Sequence, residues 1–330
     1  MSKVLITGAN GFIGSHLVET FLKEGHKVYG LVRPTSDLSL INDMEVSLKY
    51  GDITDYSSVE KALHDIDIVV HNAGLASDWG SLELFRKINL GGTINVAEAA
   101  MKNGVSRIVY MSSTAIHGFD HNRPQSEDDK KDPVFNYGLS KLAAENWIMD
   151  FGNRNDIEVT SIRPGNVFGP RDHTFIEKYM TALVSGKIAY VNRGLSLTCP
   201  TYVENLVHGV LLASIHKSAP GNAFIITDGL QINWKQFTEA IADEMHLPHP
   251  KLTIPFRLSL FLAWLSEGIY KLAAASNAPL ITKYRMYNAG TNYIFSIQKA
   301  KDILGFEPAV GLKEAIGKTV FWFREGHKLN

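Results

Sequence analysis

Hydrophobic and polar positions follow two alternating rhythms through the first half of the chain. Short apolar runs at Val4–Ile6, Lys27–Val32, Ile66–Val70, Arg107–Met111 and Ile157–Arg163 have the length and β-branched content of buried strands. Between them lie segments with apolar residues at helical spacing: the run after Gly11, then Ser57–Leu63, Gly92–Asn103 and Gly138–Gly152. Strand and helix in strict alternation predict a mostly parallel sheet with helices on both faces. The rhythm breaks after Pro164. A helix and a short strand follow within 175–198, then a helix at Val203–His216 and a buried-type strand at Ala223–Thr227. Helices dominate beyond Gly229. No internal repeat and no low-complexity linker is visible.

The first strand runs straight into Thr7-Gly8-Ala9-Asn10-Gly11-Phe12-Ile13-Gly14 and then an amphipathic run. Glycines at these three positions let a chain turn sharply, approach a pyrophosphate and pack helix against strand. The helix start then offers free N–H groups and a positive dipole end to a phosphate. The chain has 27 glycines, so the spacing alone says little; its place between strand and helix gives it weight.

Tyr137 and Lys141 lie four apart in Asn136-Tyr137-Gly138-Leu139-Ser140-Lys141, so both leave one face of the predicted helix. An ammonium beside a phenol favours the phenolate, which would lower the pKa of Tyr137 into a range useful for proton transfer. Upstream, the strand through Val109-Tyr110-Met111 ends in Ser112-Ser113-Thr114, a cluster of hydroxyls. By themselves such serines serve equally as caps or turn formers.

Glycine turn, hydroxyl cluster and Tyr/Lys pair, in that order, resemble the short-chain dehydrogenase/reductase superfamily in its extended branch. The resemblance covers nearly the whole chain. It implies an α/β fold: a Rossmann-type doubly wound parallel sheet over residues 1–170, rejoined by about 199–228. It also implies a smaller, mainly helical substrate lobe over 171–198 and 229–330. Tyr137 would be the general acid/base, Lys141 would hold the nicotinamide ribose and tune the phenol, and Ser113 would bind the substrate oxygen, with Ser112 and Thr114 as alternatives. The dinucleotide would lie along Gly8, Asn10, Gly11, Phe12, Ile13 and Gly14. Asp52 and Ile53 resemble the adenine-contacting strand end, and Asn72, Ala73 and Gly74 the segment beneath the ribose and pyrophosphate. Asn89 matches a structural asparagine beside the site. Pro164 and Val167, within Arg163–Pro170, resemble the loop packed on the nicotinamide.

NAD-specific relatives close the second strand with an acid for the ribose 2′-hydroxyl. Here Val32 stands in that place and Arg33 follows, so no carboxylate repels a 2′-phosphate and a guanidinium can pair with one. NADP(H) is therefore expected over NAD, with Asp37 too far along to replace the missing acid. The C-terminal half resembles the 3β-hydroxysteroid dehydrogenase and dihydroflavonol reductase group, through Ala223–Gly229 and Phe295–Pro308. A bulky apolar alcohol or ketone is the expected substrate. Dehydratases resembling this chain carry Asp-Glu where it has Thr114-Ala115. The alternative is an NAD-dependent nucleotide-sugar epimerase, and those usually carry a late arginine for the diphosphate; this chain has none after Arg285 in that region. A redox sensor without activity would be expected to lack Tyr137 or Lys141.

Leu258, Phe261, Leu262, Leu265 and Ile269 form an apolar stripe at helical spacing. It reads first as a core helix of the second lobe. Its other readings are a pocket wall and a surface resting peripherally on a membrane. Pro255, Arg257, Glu267 and Lys271 break the segment too often for a span.

The composition narrows the rest. A formal net charge of -1 argues against broad nucleic-acid binding. Cys199 is the single cysteine and the 12 histidines show no metal-ligand spacing, so neither a disulfide nor a metal site is expected. With 45% hydrophobic and 20% charged residues the chain is an ordinary globular one. No secretory signal precedes the first strand, which makes the cytosol the default expectation. Resemblance implies a homodimer through two helices of the cofactor domain.

Overall fold

In the computed structural model, which describes residues 1–273, 275 and 277–327, the apolar runs become one seven-stranded parallel sheet. Its strands are β1 (Lys3–Thr7), β2 (Lys27–Val32), β3 (Ser47–Tyr50), β4 (Ile68–His71), β5 (Arg107–Met111), β6 (Glu158–Pro164) and β7 (Ala223–Ile226). They lie in the order β7-β6-β5-β4-β1-β2-β3. The chain thus winds outward in one direction from β1 and in the other from β4. That reversal opens a crevice at the carboxyl ends of β1 and β4, where such sheets take ligands.

Side chains alternate between the two faces, as the pleat requires. Val4 and Ile6 of β1 enter one core with α1 (Phe12–Lys23) and Leu17, Phe21, Ile162 and Phe224. Leu5 enters the other, with Val69, Ile108, Ala144 and Ile148. That second face carries α2 (Tyr56–Ala62), α3 (Gly92–Lys102) and α4 (Asn136–Arg154). β3 is a half-exposed edge strand, and the hydrophobic pattern does not mark it.

Past β6 the chain makes small ladders instead of a sheet. Asn166–Phe168 pairs parallel with Pro200–Tyr202, and Leu197–Thr198 pairs antiparallel with Ile232–Asn233. Tyr190–Val191 pairs parallel with Thr253–Ile254, and the helices of this part are α5 (Ile176–Val184), α6 (Val203–Ile215), α7 (Trp234–Glu244), α8 (Phe256–Leu272), α9 (Lys283–Gly290), α10 (Gln298–Leu304) and α11 (Leu312–His327). α6 lies on the sheet and, with β7, returns the chain to it.

The core-helix reading of the apolar stripe is overturned. On α8 the buried residues are Ser259 and Ala263, while Leu258, Phe261, Leu265 and Ile269 are 48%, 56%, 45% and 55% exposed. Small side chains let one face seat closely, and the bulky face points to solvent. Trp264 joins that exposed face. Among the described residues no helix is long and apolar enough to cross a membrane.

Candidate active site

The site begins at the glycine turn. Gly8 has φ +66°, a left-handed conformation that glycine adopts without strain. A Cβ on Gly14 would stand 2.0 Å from the Gly8 carbonyl oxygen, so only glycine lets α1 start this close to β1. Gly11 opens α1 with no side chain capping it. The N–H groups of the first turn, at Phe12 and Ile13, remain available to an anion. Asn10 Nδ2 donates to the Asp37 carbonyl at 3.0 Å. The loop after β2 therefore folds back, and Asp37 lies closer to the turn than linear distance suggests. Arg33 is exposed at the end of β2.

A buried polar chain ties the ends of β1 and β4 to the helices behind them. Thr7 Oγ1 bonds His71 Nδ1 at 2.9 Å and accepts from the Ala73 N–H at 2.9 Å. His71 Nε2 bonds Thr93 Oγ1 at 3.1 Å. Burial, with the charge of Lys141 adding to it, drives the His71 pKa down to about 3, so the ring is neutral. Asn89 sits in a π-helical turn, Arg86–Gly91, a distortion frequent at functional sites. Its Oδ1 accepts from the Leu75 N–H at 2.7 Å, and its Nδ2 donates to Ser140 Oγ at 2.9 Å. Asn89 thereby fixes the Asn72-Ala73-Gly74-Leu75 segment against α4.

Tyr137 stands in the first turn of α4, its ring centroid 6.4 Å from that of Phe85. Desolvation raises the pKa of its phenol above the ordinary value, and the nearby Ser113 hydroxyl pulls the other way. This corrects the expectation that Lys141 lowers it. Lys141 Nζ donates instead to the Met111 carbonyl at 2.6 Å and lies 4.9 Å from the Tyr110 ring centroid. Its own pKa falls to about 8, because burial penalises the ammonium. The three hydroxyls at the end of β5 are separated by their partners. Thr114 Oγ1 donates to the Pro164 carbonyl at 2.9 Å and bonds Tyr293 Oη at 2.8 Å. Ser112 is buried facing Glu145, whereas Ser113 meets Tyr137.

The remaining residues lie around this centre. Asp52 Oδ1 accepts from Thr54 N–H at 2.8 Å and Thr54 Oγ1 at 2.7 Å, which holds its carboxyl below the usual range. Ile53 packs under Gly92. Pro164 ends β6, and Val167 lies in the short ladder beside Thr201.

Sequence reasoning missed Asp78. Thr282 Oγ1 donates to its Oδ2 at 2.6 Å, and Arg285 Nε reaches the same oxygen at 2.7 Å. The loop after β4 is thus strapped to the start of α9. Partners this far apart in sequence leave no local signal. Sequence reasoning also missed an aromatic cluster in which Tyr284 lies 5.5 Å from Phe119 and 5.4 Å from Phe135, and Tyr287 lies 5.6 Å from Phe135.

Known proteins agree with this architecture. Residues 4–226 match the NAD dependent epimerase/dehydratase family. The mouse sterol-4-alpha-carboxylate 3-dehydrogenase, decarboxylating, is 29% identical over 99% of this chain and 92% of its own. The 3 beta-hydroxysteroid dehydrogenase/Delta 5→4-isomerase of Mycobacterium tuberculosis is 30% identical over 98% of this chain and 90% of its own. Among solved structures, gox2253 superposes with a TM-score of 0.85 at 27% identity over 100% of both chains. The chain belongs to the NAD-dependent epimerase/dehydratase family, the extended short-chain dehydrogenases/reductases, and is an NAD(P)-dependent enzyme acting on CH–OH groups.

Proposed function

We propose that the enzyme interconverts a hydroxyl and a ketone on a bulky, largely apolar substrate, with NADP(H) as preferred cofactor and Tyr137 as acid/base. One observation carries this reading: the half-buried Tyr137 phenol lies near the Ser113 hydroxyl at the end of β5, one helical turn from Lys141 and beside the crevice. The residues fit a dinucleotide, because the glycine turn leaves backbone N–H groups unserved at the start of α1. When bound, the nicotinamide supplies or accepts the hydride. In the reductive direction Tyr137 Oη gives its proton to the carbonyl oxygen, which Ser113 Oγ orients by a hydrogen bond. Lys141 Nζ, held at the Met111 carbonyl, would hold the ribose hydroxyls. Thr114 is occupied by Pro164 and Tyr293, and Ser112 faces away, which supports Ser113 as the substrate's partner.

Apolar specificity is supported by Phe119, Tyr284 and Tyr287, whose rings cluster around Phe135, the residue that precedes α4. The names of the two relatives point the same way. A nucleotide-sugar epimerase is disfavoured by the state of Arg285. Its guanidinium is held by Asp78 and by the carbonyls of Leu280 at 2.8 Å and Pro279 at 3.3 Å, which leaves it little capacity for a diphosphate. Residues 1–170 with about 199–228 would carry the cofactor, and 171–198 with 229–330 the substrate. A cytosolic homodimer, with α8 touching membranes peripherally, completes the reading.

Two measurements test it. Steroid, flavonoid and keto-ester compounds are screened by absorbance of the reduced nicotinamide. Turnover of a bulky ketone or alcohol supports the proposal, and turnover of uridine diphosphate sugars alone contradicts it. Fluorescence titration of Arg33→Ala is expected to show NADPH affinity falling about tenfold, as for loss of one charge-assisted contact. NADH affinity should barely move; equal losses refute the 2′-phosphate role, and Asp37→Ala then tests that carboxylate as a ribose ligand.

A further inference from the structure

Tyr137, Lys141 and Glu145 repeat every four residues along α4 and so form one line on one face of the helix. Each step is roughly 6 Å along the axis. Lys141 and Glu145 are 4% and 2% exposed, and so is Arg163 at 2%. Three charges are thus buried together behind the phenol. Burying a charge is costly unless other charges and hydrogen bonds compensate it.

The compensation is unevenly shared. Glu145 is bonded on every side: Arg163 Nη2 reaches Oε1 at 2.7 Å, Arg163 Nε reaches Oε2 at 3.0 Å, and Ser161 Oγ donates to Oε2 at 2.9 Å. Arg163 also donates to the Glu127 carbonyl at 2.8 Å and meets His117 Nε2 at 3.3 Å. Lys141 has far less. The Met111 carbonyl and the Tyr110 ring face it from β5, neutral His71 from β4, and Tyr137 and Glu145 from its own helix. Among the described residues no carboxylate forms an ion pair with it. Glu145, one turn away, is the negative group that acts on it through space, and it favours the ammonium against the effect of burial.

We propose that Glu145 is a positioning residue: its buried carboxylate, fixed by Arg163 and Ser161, is the counter-charge that keeps the Lys141 ammonium charged where it serves the cofactor. This rests on the proposed role of Lys141 toward the nicotinamide ribose. It assigns a function to Glu145 that a simple packing or ion-pair role would not produce. Electrostatic influence at this range is felt because the surroundings are dry.

The test uses the full-length protein and NADPH binding followed by fluorescence from pH 6 to pH 10, so no substrate need be known. Wild type is expected to lose affinity as pH rises past about 8, where the Lys141 ammonium is lost. Glu145→Gln should move that bend down by at least one pH unit, a tenfold loss of proton affinity at Lys141 (~1.4 kcal/mol). Glu145→Asp, which keeps the charge, should leave the bend near its wild-type position even if its melting temperature falls. Should Glu145→Gln fail to fold with Arg163 unpaired, Glu145→Gln combined with Arg163→Met replaces it. Its bend is still expected below wild type, because Glu145 is the group one turn from Lys141. A bend at the wild-type pH in whichever charge-removing variant folds overturns the inference. Lys141→Met is the control: it should abolish the bend. If the bend survives there, the assignment of Lys141 to the cofactor fails instead.

Discussion

The crevice at the ends of β1, β4 and β5 and the outer face of α8 carry equally plain hydrophobic patterns, yet the patterns had opposite fates. At the crevice each apolar run stops at a residue that dictates the backbone locally. Gly8 takes a left-handed turn, and Ser113 caps a short 3₁₀ turn by accepting from the Ala115 N–H. The backbone there leaves little choice. On α8 a stripe at helical spacing fixes the helix but not which side faces inward. That choice was made by contacts across the chain, such as Trp79 Nε1 donating to the Ala275 carbonyl and Lys271 lying over the Trp79 ring. A short-range signal survives translation into three dimensions; a periodic one leaves a twofold ambiguity.

The comparison can be broken most sharply at Tyr137. Tyr137→Phe is expected to reduce turnover ~10²–10⁴-fold, the usual worth of a positioned acid/base, while NADPH affinity stays nearly unchanged. Rates close to wild type in a stopped assay would remove Tyr137 from the chemistry. Next in size is Gly14→Ala. The added Cβ must displace the Gly8 carbonyl, so stability should fall by about 1–3 kcal/mol in urea unfolding and cofactor binding should suffer with it. A wild-type midpoint would show that the turn is less tightly built than its geometry indicates.

Acid should find the same region. The His71 pKa is about 3 in the fold and near 6.5 in the unfolded chain. A depressed value means that the unfolded state takes up the proton first, so stability is full above pH 6.5 and drains as pH falls toward 3. By pH 5 this one ring costs about 2 kcal/mol. His71→Gln should flatten that part of the stability curve, and an unchanged slope would contradict the link.

The smallest stability effect belongs to α8. Phe261→Ser with Trp264→Ser should leave the melting midpoint within about 0.5 kcal/mol of wild type, as surface changes do. The same variant should lose sedimentation with anionic vesicles, because the exposed stripe is flanked by Arg257 and Lys271. A large loss of stability would mean that the face is buried in solution after all.

Much of the fold was legible because the sheet's strands are short and continuous runs. Arg107–Met111 was read to the residue, and the helix bearing Tyr137 to within two residues at each end. Two features of the same half were not. β3 has half-exposed residues and lies at the sheet edge, so nothing forces an apolar run upon it. The π-helical turn that presents Asn89 breaks the helical period from which a helix is recognised. At the site, residues joined along one helix or one strand end could be read. Asp78 with Arg285, and Glu145 with Arg163, could not, because each pair is made only when distant elements meet. The expected influence of Lys141 on the Tyr137 pKa failed for a related reason: spacing puts the two on one face, but burial sets the direction of the shift at each.

A crystal structure with NADP bound would decide whether Tyr137 works on the nicotinamide. The pyrophosphate is expected on the N–H groups that open α1 and the nicotinamide ring beside the Tyr137 phenol, with Ser113 Oγ within hydrogen-bonding reach of the same oxygen of a substrate or water. A dinucleotide seated on the glycine turn with that phenol turned away, in every conformer, would contradict it.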